Sequence, residues 1–267
     1  MMDECRIWSA CAAGLLAAAL VLPAASLAAT ASALDDPALA GKNRYDRCLE
    51  LVKRDPAKAS TEAGAWAVAT GETAALHCEA LALTALKRYP EAAQKLEGAA
   101  ASGVLPPLHA ELLDQAGNAW LLAGDPAKAE AAFTSALSFD PKNEDILSDR
   151  ARERGAAKNW TGALADLTGV LALDPDRADI YVLRASALHA QGKLSEARAD
   201  IVHALDIYPD YPEALVERGT MRLEAGDRAG ARADWQLAAR EAPDSDAGIT
   251  ARARLAELAA MTKPNKK

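Results

Sequence analysis

Apolar and polar positions recur along this chain with two superposed spacings, a short one of one helical turn and a long one of 34 residues. The long spacing is plain in LSFDPKNED (137–145), LALDPDRAD (171–179), LDIYPDYPE (205–213) and AREAPDSDA (239–247). In each of these an apolar run ends on a proline, so Pro141, Pro175, Pro209 and Pro243 stand 34 residues apart. Alignment on the prolines gives a large column (Leu113, Leu147, Tyr181, Leu215) and, one turn later on the same face, a small column (Gly117, Ala151, Ala185, Gly219). A turn column follows, Gly124, Lys158, Gly192 and Gly226, suited to the left-handed conformation that stops a helix. A second helix then opens with an unbroken alanine column (Ala129, Ala163, Ala197, Ala231), a large column (Phe133, Leu167, Ile201, Trp235) and another small one (Ala136, Val170, Ala204, Ala238). Small residues on both helices permit close approach, large ones fill the gap, and proline ends the pair. Each unit is therefore expected to be an antiparallel helical hairpin.

These columns resemble the tetratricopeptide repeat, a 34-residue helix-turn-helix, over four contiguous units at 110–143, 144–177, 178–211 and 212–245. An earlier repeat is expected at 73–102, where Leu76, Ala80, Ala92, Leu96 and Ala99 fill the same columns, and a degenerate hairpin at 42–70. After Pro243, residues 247–261 keep the register through one helix, the expected cap of the last hairpin. The resemblance implies an all-α fold, a right-handed α-solenoid of antiparallel hairpins spanning 42–262. It extends to exported or periplasmic tetratricopeptide proteins of alphaproteobacteria.

Composition sharpens this. Hydrophobic residues make up 51% of 267 but aromatics only 4%, so the core must be built from Ala and Leu. The net charge of −8 argues against a nucleic-acid surface, which needs clustered Lys and Arg. Residues 1–33 carry only Asp3, Glu4 and Arg6 as charges, then an apolar run to Leu22, Pro23 and an Ala31-Ser32-Ala33 site. That profile is a signal peptide, followed by a short linker at 34–41; an uncleaved inner-membrane anchor is the alternative. The expectation is a periplasmic protein with no membrane span after signal removal and a disordered tail at 263–267. Cys48 and Cys78 remain after cleavage, and an even count in an exported chain suggests one disulfide, two reduced buried thiols being the other reading.

No nucleophile and base stand at credible spacing, no Gly-rich phosphate loop is present, and His77, His109, His189 and His203 form no metal cluster, so neither enzyme chemistry, metal nor cofactor is expected. Arg150, Arg184 and Arg218 form a column that is Ala116 in the first full unit, and Asp166, Asp200 and Asp234 one that is Ala132 there. Arg and Asp thus come and go together. This suggests structural ion pairs, either within hairpins or from each Asp to the next unit's Arg, ending at Arg252. Tetratricopeptide arrays bind peptides in a concave groove lined by first helices. The resemblance places Asp114, Asn118, Ser148, Arg152, Val182, Ser186, His189, Val216, Thr220 and Glu224 there. Some relatives grip a C-terminal carboxylate with Lys, Asn and Arg; here Asn118 and Arg152 are present, but Asp114 stands where the Lys is wanted. Glu111, Asp145, Asp179 and Glu213 form an acidic row at the helix starts, favourable to the helix N-termini and, on a sharper reading, an electronegative lip preferring neutral or basic partners. The function expected is a non-catalytic scaffold binding a protein or peptide in the bacterial envelope. The alternative is an accessory subunit of an envelope enzyme or maturation system, such as peptidoglycan remodelling or cytochrome assembly.

Overall fold

A computed structural model describes residues 37–261, with side chains from Arg44 onward. The signal segment 1–33 and the tail 263–267 lie outside the described residues. Those described form thirteen α-helices and no strand. They are α1 (Pro37–Arg54), α2 (Pro56–Thr70), α3 (Thr73–Ala85), α4 (Tyr89–Ala100), α5 (Pro106–Leu122), α6 (Pro126–Phe139) and α7 (Glu144–Ala156). There follow α8 (Trp160–Leu173), α9 (Ala178–Ala190), α10 (Leu194–Ile207), α11 (Pro212–Glu224), α12 (Arg228–Glu241) and α13 (Asp246–Met261). Helix α1 starts at Pro37, so residues 37–41, read from sequence as linker, are helical. The helices group into two compact units, up to Glu153 and from Arg154 onward.

The local punctuation explains why the helices pair. Helices α6, α8, α10 and α12 stop at Phe139, Leu173, Ile207 and Glu241, each two residues before a periodic proline. Gly124, Gly192 and Gly226 turn the chain between helices at φ 76°, 75° and 86°, and Lys158 takes the same left-handed position at 60° without glycine's freedom. The next helix is then capped: Asp55, Asp125, Asn159 and Asp227 each accept from the backbone N–H three residues on, at 3.0, 3.2, 3.1 and 2.8 Å. Lys193 occupies this position before α10 and provides no side-chain cap.

In the N-terminal unit the core is alanine with a few large inserts, Trp66, Leu83, Leu96, Leu112, Trp120 and Phe133, all almost fully buried. Gly117 on α5 faces the Phe133 ring on α6 so closely that a Cβ there would sit 2.5 Å from ring Cε1. The N-terminal end of this unit is fastened covalently: Cys48 on α1 and Cys78 on α3 form a disulfide with Cα atoms 6.3 Å apart, enclosed by Ala63, Tyr45 and Val52.

The C-terminal unit repeats this packing with other residues. Gly219 on α11 lies under the Trp235 ring of α12, whose Nε1–H donates to the Val216 carbonyl at 3.2 Å. In the preceding hairpin the pair is Ala185 and Ile201, both in the same buried cluster. A bulkier small position thus meets a slimmer large one. Helix α13 closes the unit by burying Ala247, Gly248, Ala251 and Leu258.

The packing and the disulfide can each be tested. An alanine normally gains about 0.5–1 kcal/mol over glycine inside a helix, yet Gly117→Ala should lose about 1–3 kcal/mol by forcing Phe133 out of place. Adding Phe133→Leu should recover part of that loss in urea denaturation, because the double variant copies the Ala–aliphatic form of the repeat. Reduction of the Cys48–Cys78 disulfide, which closes 30 residues, should cost about 3–4 kcal/mol on a chain-entropy estimate. That loss should appear as earlier melting of the N-terminal unit by differential scanning calorimetry with and without reductant.

Candidate functional site

The candidate surface is the face of the first helices. In the N-terminal unit it is built from α1, α3, α5 and α7. Tyr45 on α1 bonds through its hydroxyl to His77 Nδ1 on α3 at 2.7 Å, His77 Nε2 meets Gln115 Oε1 on α5 at 2.8 Å, and Gln115 Nε2 donates to Glu111 at 3.4 Å. Burial, with Glu111 and Asp46 adding to it, pushes the Tyr45 hydroxyl up to about 12, and burial also lowers the His77 imidazole from its usual range. Beside this relay, Asn118 Nδ2 donates to Asp149 Oδ2 at 2.9 Å, and Arg152 Nη1 donates to Asp149 Oδ1 at 2.8 Å. Asp149 therefore holds together the two residues expected to grip a carboxylate, and both are turned inward onto it.

Asp114 is different. Its Oδ1 is buried and has no hydrogen-bond partner, and the Nε of Arg152 is likewise buried and unmatched. Burial, reinforced by the like charges of Asp149, Asp145 and Glu111, raises the Asp114 carboxyl well above the ordinary carboxylate range.

In the C-terminal unit the same face is formed by α9, α11 and α13. Its centre is Glu217, 4% exposed, whose carboxyl burial pushes up to about 7; His189 and Arg254 oppose that rise and Glu224 adds to it. His189 Nε2 meets Glu224 Oε2 at 2.7 Å, and Thr220 Oγ1 donates to the Val216 carbonyl at 3.0 Å.

The structure sorts the residues expected to line a groove. Asp114, Asn118, Arg152, His189, Thr220 and Glu224 reach the first-helix faces at least in part. Ser148, Val182, Ser186 and Val216 do not: all four are buried, with the two hydroxyls donating to the carbonyls of Glu144 and Val182 one turn back. Helical spacing alone marks the side facing away from the second helix, but in an array the next first helix covers part of that side. Val182 and Val216 accordingly sit in the cluster that includes Ala214, Leu215, Ala247 and Ala251. Asp149 and Glu217 were not singled out from the sequence. Their column reads Gln115, Asp149, Leu183, Glu217, and polar residues between buried alanine and leucine columns were the available signal.

Two pairs of the arginine and aspartate columns lie inside hairpins, Arg184 with Asp200 and Arg218 with Asp234. Arg184 binds Asp200 through Nε and Nη2, both at 2.8 Å, and Arg218 binds Asp234 at 3.0 and 2.8 Å. Arg222 adds a third bond to Asp234, and Arg154 binds Asp166, each at 2.8 Å. Arg150 donates to Thr134 Oγ1 at 3.2 Å. Arg252 turns to the Pro243 carbonyl rather than to Asp234. With buried aspartates held in forks, these arginines are committed to the fold. Glu111 and Asp145 are exposed, Asp179 pairs with Arg177 at 2.8 Å, and burial with Asp246 nearby raises Glu213. No group of His, Cys, Asp or Glu among the described residues could hold a metal ion, and no described helix is long and apolar enough to cross a membrane.

Helical hairpins recurring every 34 residues, the last followed by a lone helix, define an α-helical repeat fold. The tetratricopeptide repeat family matches residues 156–214. Similar solved structures share the fold. MamA (residues 41 to its end) from Desulfovibrio magneticus RS-1 is 21% identical, with a TM-score of 0.57 over 65% of this chain and 97% of its own. TTC0263, a thermophilic tetratricopeptide protein in Thermus thermophilus, is 20% identical, with a TM-score of 0.54 over 70% of this chain and 99% of its own. YrrB, described as a tetratricopeptide protein with an unusual peptide-binding site, is 16% identical, with a TM-score of 0.54 over 72% of this chain and 97% of its own. No curated protein sequence matches the chain.

Glu217 gives a pH test. Because its folded pKa is raised from 4.5 to about 7, its stabilising contribution is complete below about pH 4.5 and is lost as pH rises through 7. The C-terminal unit should weaken by roughly 2–4 kcal/mol between pH 5 and 8. Glu217→Gln should flatten that slope in urea denaturation followed through Trp235 fluorescence.

Proposed function

We propose that this protein is a non-catalytic interaction scaffold of the bacterial cell envelope, exported by its N-terminal segment, which holds a peptide or helix of a partner protein on its first-helix faces. The observation that carries this reading is a division of labour among polar groups. Arg184 and Arg218 are consumed with Asp200 and Asp234 inside their hairpins, whereas Asp114 and Arg152 keep buried polar atoms unmatched on the first-helix face. Unmatched buried polar atoms cost stability, and a face that bears them gains when a partner supplies the missing groups. The repeat and its structural neighbours support an interaction role, one of those neighbours being described by its peptide-binding site. The disulfide supports an oxidising compartment such as the periplasm.

A photo-crosslinking amino acid distinguishes the faces. Placed at Gln115 or Thr220 it should capture a discrete protein from envelope extract, and placed at Arg198 or Arg232 on second helices it should not. Capture from the second-helix positions alone would move the interaction to the opposite surface.

A further inference from the structure

We infer that the first-helix face of the N-terminal unit is a receptor for a basic side chain, a lysine or arginine of an extended peptide seated against Asp114 between α5 and α7. The inference rests on the scaffold reading above and names the chemistry of the partner.

Three observations converge. First, Asp114 Oδ1 is buried without any hydrogen-bond donor. A carboxylate accepts only, so the missing group is a donor, and an ammonium or guanidinium supplies several. Second, the charges bearing on Asp114 share one sign: Glu111 from its own helix, and Asp145 and Asp149 from α7. The neighbouring cations are engaged elsewhere. Arg152 of α7 is on Asp149, and Lys128 of α6 pairs with Asp125 and lies over the Trp120 ring. From α4, Glu97 accepts from Trp120 Nε1 at 2.7 Å; from α3, His77 is held between Tyr45 and Gln115. A cation arriving from outside therefore meets a complementary field. Third, the Nε of Arg152 is an unmatched buried donor on the facing helix. A peptide main chain carries the carbonyl it lacks, so one segment can meet both deficits. An anion would find only the Arg152 donor, among four carboxylates.

The proposal also fixes a pH response. Asp114 must lose its proton to receive the cation, and in the free protein burial and its acidic neighbours hold that proton above the ordinary carboxylate range. Affinity should rise as pH passes upward beyond the ordinary carboxylate range, with proton release on binding.

The test is selection of a displayed heptapeptide library on the full chain at pH 8, followed by titration of the selected synthetic peptides by fluorescence anisotropy. The selected peptides should share one Lys or Arg. Replacing that residue by Gln, or making Asp114→Asn, should each weaken binding at least tenfold, with no further loss when both are combined. Asp114→Glu should retain most of the affinity. Wild-type affinity should fall toward pH 5, and the Asp114→Asn profile should be flat. The melting temperature of Asp114→Asn at pH 8 should equal or exceed that of wild type, which separates a lost contact from a lost fold. Peptides that protect a crosslinker at Gln115 yet carry no basic residue, or bind Asp114→Asn as tightly, would overturn this inference and leave the scaffold reading standing. Failure to select any peptide would overturn the inference, and absence of first-helix capture in envelope extract would separately defeat the scaffold reading. Spermidine supplies the same cation without a main chain; Asp114-dependent binding of spermidine alone, with no peptide selected, would also refute a peptide receptor.

Discussion

The distance at which the two helices of a hairpin can approach governs everything else in this protein, and it is set by one small residue facing one large one. Gly117 beneath Phe133, Gly219 beneath Trp235 and Ala185 beside Ile201 are three solutions of the same volume problem. With aromatics at 4% of the chain, few side chains can fill space, so close contact must come from alanine-rich helix faces that interlock. That contact brings Arg184 and Arg218 within reach of Asp200 and Asp234 across their hairpins, each at two bonds of 3.0 Å or less. It also brings successive first helices together, burying Val182 and Val216 and leaving Asp114 and Glu217 in surroundings poor in water.

The hairpins were legible because each rests on side-chain size at fixed spacing, a property of sequence alone. The large, small, turn and alanine columns marked the helices, and the prolines marked where the second helix of each full unit stops. The caps were equally present as Asp125, Asn159 and Asp227 one period apart, though broken by Lys193. Asp234 illustrates what spacing leaves open: within-hairpin and between-hairpin partners are equally periodic, and only the helix crossing decides for Arg218 over Arg252. Helix α1 reaching back to Pro37 had no periodic signal.

The candidate site was less legible for a physical reason. A groove position is defined by what the neighbouring first helix leaves uncovered, and that depends on side chains one unit away. Ser148 and Ser186 carry hydroxyls suited to a ligand but spend them on their own helices. Asn118 and Arg152, the two elements of a carboxylate grip, are instead drawn onto Asp149. What stands beside them is an acid without a donor, which on the proposed reading inverts the charge of the group the surface receives.

Buried acids are destabilising, and this chain keeps at least two on its first-helix faces, Asp114 and Glu217, where leucine or alanine would serve the fold better. Asp114, on this view, is retained for a partner's cation. The most direct measurement is a carbon-detected NMR titration of the Asp114 side-chain carboxyl, free and with a bound basic peptide. The predicted result is titration well above the ordinary aspartate range in the free protein and a return toward that range in the complex. An ordinary aspartate titration in the free protein, or one that the basic peptide leaves unmoved, would contradict it.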